Sequence, residues 1–147
     1  MNSIQSRIDA LIDELGAIEA ADERFIFLVD WAKNAKPYPE KYREDVFKVP
    51  GCLSSLWIHP SCENGRCYFD VDSDAQIPKG IAVVLAHIFS GEYADDILAC
   101  DMSFTDTLGI SKFLSKNRRN ALGHICNYIM SYAAQVAGGS AARTVNA

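Results

Sequence analysis

Ile4, Ile8, Leu11, Ile12 and Leu15 recur at helical spacing, with Ser3 placed to cap the start and Gly16 placed to stop it, so the pattern predicts a first helix. A second helix is predicted over residues 21–35, where Phe25, Ile26, Phe27, Leu28, Val29 and Trp31 give an apolar surface broad enough to pack on more than one side. Pro37 and Pro39 end it and open a loop that carries Tyr38 and Tyr42. From Trp57 onward the period changes to two. Asn64-Gly65 predicts a type I′ hairpin turn that sets Glu63 opposite Arg66, Cys62 opposite Cys67, Pro60 opposite Phe69 and Ile58 opposite Val71. In that register one face reads Ile58, Pro60, Cys62, Cys67, Phe69, Val71, and the other reads Trp57, His59, Ser61, Tyr68, Asp70, Asp72. A further short strand over residues 46–49 is expected beside the hairpin, which puts Cys52 in the loop between two strands.

After the hairpin, Ser73 and Gln76 have capping-box spacing, and Asp74 reads as a helix cap. Ile77, Ile81, Val84, Leu85 and Ile88 then form a buried stripe closed by Gly91. A short helix over 93–100, a turn-rich connector over 101–109 and a last helix opening at Ser115 follow, the last carrying Leu122, Ile125, Ile129 and Met130 inward. The order of helices, a small antiparallel sheet of about three strands, then helices is α+β. Residues 1–136 read as one domain and 137–147, GGSAARTVNA preceded by Ala137, as a tail with little to bury.

Composition narrows the function classes. The chain has 147 residues, 49% of them hydrophobic and 22% charged, with a net charge of −5. That balance is ordinary for a globular protein and argues against nucleic acid or an anionic membrane as partner. No apolar run approaches the ~20 residues that span a bilayer, and the first residues carry no signal or transit pattern, so the expected compartment is the cytoplasm. Nothing in the pattern demands more than a monomer. Five cysteines, at 52, 62, 67, 100 and 126, include no C-x-x-C pair, which leaves free thiols and no expected metal site. Cys62 and Cys67 read as packed thiols at the hairpin tip, with a reversible disulfide open to them if the register holds; Cys100 and Cys126 read as core.

Cys52 differs from the other four. It follows Pro50-Gly51, a pair suited to a tight loop, and no Lys, Arg or His lies within three positions to lower its pKa. An unshifted thiol of pKa near 8.5 is only about 3% thiolate at pH 7, so activation has to come from the fold or from a partner. The local sequence leaves a reactive and a structural role equally open. A thiol hydrolase would pair Cys52 with His59, His87 or His124, none of which has a local signature; a His59–Asp70 pair on the sheet face reads as a surface contact. The final helix places Lys116, Arg118 and Arg119 in its first turn, against the macrodipole, which suits either a solvated basic patch or a partner acid such as Asp74 or a sulfur anion.

The run Gly51-Cys52-Leu53-Ser54-Ser55-Leu56-Trp57 resembles the G-C-x-S-x-V-W loop of the SufE family of sulfur acceptors. Ser73-Asp74-Ala75-Gln76-Ile77-Pro78-Lys79-Gly80 is similar to that family's S-D-A-x-I-V-K-G, and Ser90-Gly91 with Asp95-Asp96-Ile97-Leu98 to its S-G and P-E-E-I-L segments. Leu108-Gly109 and the run from Leu114 through Arg118 to Leu122 resemble its L-G-L and L-S-P-S-R-x-N-G-L. The likeness runs from about the second helix to Tyr132. Leu53 and Ser55 stand where glutamines are usual, and Lys116, Asn117 and Ala121 replace Pro, Ser and Gly; these departures bear on partner recognition more than on sulfur chemistry.

The resemblance implies a SufE/IscU-like fold and a protein that takes sulfur from a cysteine desulfurase for iron–sulfur cluster assembly, stimulating the desulfurase as it does so. Cys52 would be the persulfide acceptor, supported by Gly51, Ser54, Trp57, Asp74, Lys79, Arg118 and Arg119. The chain itself would need no cofactor, since the pyridoxal phosphate belongs to the desulfurase, and a downstream cluster scaffold would be a second partner. Leu53 and its apolar neighbours are expected to shelter the sulfur until docking swings the loop outward. The alternative is an IscU-like metal or cluster scaffold.

Overall fold

The computed structural model describes residues 3–52, 54–110 and 114–139. Its elements in chain order are α1 (Ser3–Gly16), α2 (Ala21–Lys33), two 3₁₀ turns (Glu40–Tyr42 and Asp45–Phe47), β1 (Leu56–Glu63), β2 (Arg66–Ser73), α3 (Gln76–Phe89), β3 (Glu92–Tyr93), α4 (Ala94–Ala99), α5 (Phe104–Leu108) and α6 (Lys116–Ala137). The architecture is α+β: a three-stranded antiparallel sheet, in the order β1-β2-β3, with helices around it.

The hairpin takes the register that Asn64-Gly65 dictates, from Glu63 opposite Arg66 to Leu56 opposite Ser73. Both turn residues have positive φ, 53° at Asn64 and 80° at Gly65, as a type I′ turn requires. The third strand is not where the pattern placed it. Glu92 and Tyr93 pair with Cys67 and Arg66, whereas the expected strand over 46–49 contributes one bridge, Lys48 to Trp57, with Val46 and Phe47 in a 3₁₀ turn and Val49 irregular. The reason is that residues 40–47 lie across the outer sheet face. Arg43 bonds Glu40 and, at 2.7 Å, Asp72, while the Tyr42 ring stacks on His59 at 3.4 Å with Phe47 edge-on at 5.0 Å. That roof also buries His59 to 3% exposure, which corrects the reading of His59 and Asp70 as a surface contact. Its Nδ1 stands 3.6 Å from Asp70 Oδ2, long for a hydrogen bond, and burial holds its pKa below the usual imidazole value.

The inner face carries the core. Ile4, Ile8, Leu11 and Leu15 of α1 are all buried, as are Ile77, Ile81, Val84, Leu85 and Ile88 of α3, each burial stabilising the fold by about 1.5–3 kcal/mol. Ser3 is itself helical rather than the cap expected of it, and Ile12 is only partly buried. Helix α2 crosses α3 so closely that a Cβ at Gly80 would collide with the Leu28 carbonyl, which is why a glycine sits in mid-helix despite its propensity cost. Phe25, Phe27, Val29 and Trp31 are half-buried around α2, while Ile26 faces solvent.

Two boundaries differ from the pattern. Ser73 ends β2 instead of capping α3: its hydroxyl accepts the Ala75 N–H and donates to the Ser55 carbonyl, so Ala75 occupies the cap position and Asp74 lies outside the helix. The 101–109 connector contains α5, ended by Gly109 at φ 74°. Helix α6 starts after Ser115, as expected, with the Ser115 hydroxyl accepting the Arg118 N–H at 3.4 Å; Met130 is half-buried rather than inside. All five cysteines are free. Cys62, Cys67 and Cys126 are buried, but Cys100, read as core, is half-exposed. Of the predicted tail, Ala137 closes α6, Gly138 and Gly139 form a turn, and residues 140–147 lie outside the described residues. No helix of the described residues is long and apolar enough to cross a membrane.

Candidate functional site

The loop that carries Cys52 is pinned at both ends. The Lys48–Trp57 bridge and the Val49 N–H, which donates to the Leu56 carbonyl at 2.8 Å, close its neck. The Ser55 carbonyl accepts from the Ser73 hydroxyl at 2.7 Å and from the Asp74 N–H at 3.1 Å, tying the returning limb to the β2–α3 corner. At the bend, Gly51 has φ 83°, the value of the third residue in a type II turn after proline. A Cβ at Gly51 would lie 2.7 Å from His124 Nε2, so the imidazole of α6 rests directly against the bend. Left-handed backbone and a close neighbour both require glycine here.

Cys52 emerges from this bend half-buried, at the wall of an open cavity of about 420 Å³. Ser54, Pro78, Ser115, Asn117, Arg118 and Ala121 line the same cavity, so it lies between the loop, the start of α3 and the first turns of α6. Burial pushes the Cys52 thiol above its ordinary pKa, so at neutral pH the sulfur is protonated. Arg118 lines the cavity, while its guanidinium lies 5.9 Å from the Phe25 ring centre.

Of the residues singled out from sequence, Cys52, Ser54 and Arg118 line this cavity, and Gly51 forms the bend that leads into it. The others lie beside it. Arg119 turns back to donate to the Leu114 carbonyl at 2.7 Å, so neither arginine meets Asp74, whose side chain is exposed and makes no ion pair among the described residues. Lys79 stands 3.3 Å from Asp72, which also receives Arg43; that bonding, with Arg43 2.7 Å away, outweighs the burial of Asp72 and keeps its carboxyl below the usual range. Trp57, opposite Asp72 in the register, lies beneath Arg43 at 4.8 Å and Lys48 at 5.7 Å. Trp57, Lys79, Asp72 and Arg43 thus form a bracket behind the loop rather than part of the sulfur cavity. Leu53, expected to shelter the sulfur, lies outside the described residues.

Sequence reasoning did not place Pro78 and Ala121 at the Cys52 cavity, and it named His124 only as one of three candidate bases for the sulfur, without the contact to the Gly51 bend. A signal existed for two of them: Arg118, Ala121 and His124 are spaced by three along α6 and share one face. Among the described residues, no three or more His, Cys, Asp or Glu side chains gather in a way that could hold a metal ion.

The chain as a whole has counterparts among known proteins. The family model of SufE, the Fe–S metabolism associated domain, matches residues 9–133. The chain belongs to the SufE family. A SufE-like protein of Rhizobium meliloti is 30% identical over 131 residues, covering 86% of this chain and 94% of that one. The cysteine desulfuration protein SufE of Wigglesworthia glossinidia brevipalpis is 25% identical over 131 residues, covering 88% and 90%. In fold, the chain matches the solution structure of a hypothetical protein from Thermus thermophilus with a TM-score of 0.74, over 90% of this chain and 96% of that one, at 16% identity. Membership of the SufE family places the chain in iron–sulfur metabolism.

Proposed function

We propose that Cys52 accepts the terminal sulfur of a persulfide carried by a cysteine desulfurase, stimulates that enzyme by unloading it, and passes the sulfur on for iron–sulfur cluster assembly. The observation that carries this reading is the position of Cys52: a half-buried thiol at the apex of a pinned glycine bend, facing a cavity open to a visiting group. It has a route outward, which a purely structural cysteine does not need.

The step is an exchange in which Cys52 loses its proton and its thiolate attacks the outer sulfur of the donor persulfide. The donor's S–S bond breaks as the Cys52 S–S bond forms, the donor cysteine leaves as a thiolate, and it takes up the proton, so no net oxidation occurs. Burial leaves the resting Cys52 protonated, which protects it from stray oxidants and makes attack depend on docking. Gly51 shapes the bend and Ser54 lines the cavity with the sulfur. Arg118 offers a cation to the persulfide anion, while Trp57, Lys79, Asp74 and Arg119 brace the loop or meet the partner. Pyridoxal phosphate belongs to the desulfurase, and the chain acts as a carrier, as a monomer in the cytoplasm, rather than as an enzyme.

Sulfide release by a desulfurase supplied with cysteine tests the stimulation. Wild-type chain raises turnover and Cys52→Ser does not; full stimulation by Cys52→Ser contradicts the reading. A scaffold role would require a ligand set converging on Cys52, and the described residues offer none.

A further inference from the structure

A second cavity, of about 620 Å³, shares no lining residue with the Cys52 cavity and falls in the size range of small-molecule sites. Its floor is apolar: Phe69 and Val71 from β2, Val83 and Ala86 from α3. One wall is aromatic, with the Trp31 ring centre 6.2 Å from Phe27 and 5.0 Å from the His87 imidazole. The segment Asn34–Lys36 closes the side next to β2.

The charges at the rim are unbalanced. Glu14 of α1 and Asp30 of α2 line the cavity, are exposed, and make no ion pair among the described residues. Two of the cations nearby are held by other carboxylates. Lys36 is held 2.9 Å from Asp70 on the other sheet face, and Arg7 is held 2.8 Å from Glu92 while also donating to the Ile88 carbonyl. Burial, with Arg7 acting in the same direction and Glu14 against it, lowers the His87 pKa, so the imidazole is uncharged at neutral pH. Two carboxylates and a Trp ring line this apolar-floored cavity, and its one lining lysine, Lys36, is already paired with Asp70; such a setting attracts a cation with an apolar body and repels an anion.

We propose that this cavity binds a small organic cation, its flat apolar body against Trp31 and over the Phe69–Val71 floor and its ammonium group between Glu14 and Asp30. Tryptamine is a suitable probe, with indole and indole-3-propionate as neutral and anionic counterparts on the same ring. The chain has two tryptophans, and only Trp31 lines the cavity, so the Trp57 indole N–H signal in a ¹H–¹⁵N spectrum serves as an internal control. Tryptamine shifts the Trp31 signal saturably and leaves Trp57 in place. Indole-3-propionate binds at least about tenfold more weakly, and the Glu14→Gln/Asp30→Asn variant reduces that preference to less than about threefold. Absence of a saturable Trp31 shift overturns the proposal, as does equal binding of indole-3-propionate or a preference that survives the double variant. Indole binding as tightly as tryptamine would make the cavity a plain apolar site and overturn the cationic assignment. A Trp31 signal that moves with protein concentration alone would mean that a second copy of the chain covers the cavity, which also overturns it.

Discussion

His124 Nε2 stands 2.7 Å from the point where a Cβ on Gly51 would sit, so a histidine on the last helix fixes the shape of the bend that presents Cys52. Two independent costs therefore meet at one position. A non-glycine residue at φ 83° is strained, and its side chain must displace an imidazole. Gly51→Ala is expected to destabilise the protein by about 1–3 kcal/mol and to slow sulfur loading of Cys52. Adding His124→Ala removes the collision but not the backbone strain, so it recovers part of the stability loss and not all of it. Urea denaturation of the single and double variants checks this, and a neutral Gly51→Ala contradicts it.

Arg118→Ala removes the cation that lines the Cys52 cavity without opening the core, since its guanidinium lies over the Phe25 ring at the surface. The expected outcome is loading of Cys52 slowed two- to tenfold, about 0.5–1.5 kcal/mol for one polar contact, with the melting temperature unchanged. Arg119→Ala, which loses a bond to the Leu114 carbonyl instead, is expected to act on stability. Stopped-flow loading and thermal melts separate the two.

The raised pKa of Cys52 sets a pH profile. Its alkylation by iodoacetamide is expected to keep rising, about tenfold per pH unit, beyond the pH near 8.5 at which an ordinary thiol levels off. A rate that levels off below pH 8 means that a neighbouring group activates the sulfur in the free protein.

The buried thiols of Cys67 and Cys126 are pushed up to about 11 from 9.0, mainly by burial. The folded state then holds protons that the unfolded chain releases, so stability is complete below about pH 9 and falls as pH rises towards 11, by about 2 kcal/mol per thiol. Cys126→Ala costs some stability at pH 7 through lost packing but flattens the fall at high pH. An unchanged slope in that variant contradicts the assignment.

The parts of the fold that were legible in the sequence are those fixed by local chemistry. Asn64-Gly65 admits one turn type and hence one register, and the Ile4-Ile8-Leu11-Leu15 stripe admits one buried face. What escaped depends on contacts distant in sequence. Glu92–Tyr93 is too short to show a period of two and becomes a strand because β2 offers it an edge. His59 alternates as a polar position should, yet it is buried because Tyr42 and Phe47 arrive over it from another segment. At the site, Cys52 and Gly51 stood out through the turn chemistry of one short run. The approach of His124 to that run, and the diversion of Arg119 and Lys79 to other partners, follow from how α6 and α3 pack.

The most direct test loads the chain with a catalytic amount of desulfurase and cysteine, traps persulfides by alkylation and maps them by peptide mass spectrometry. One added sulfur atom on the peptide that contains Cys52, and on none containing Cys62, Cys67, Cys100 or Cys126, is the predicted result. Sulfur found on another cysteine, or loading that persists in Cys52→Ser, contradicts the account.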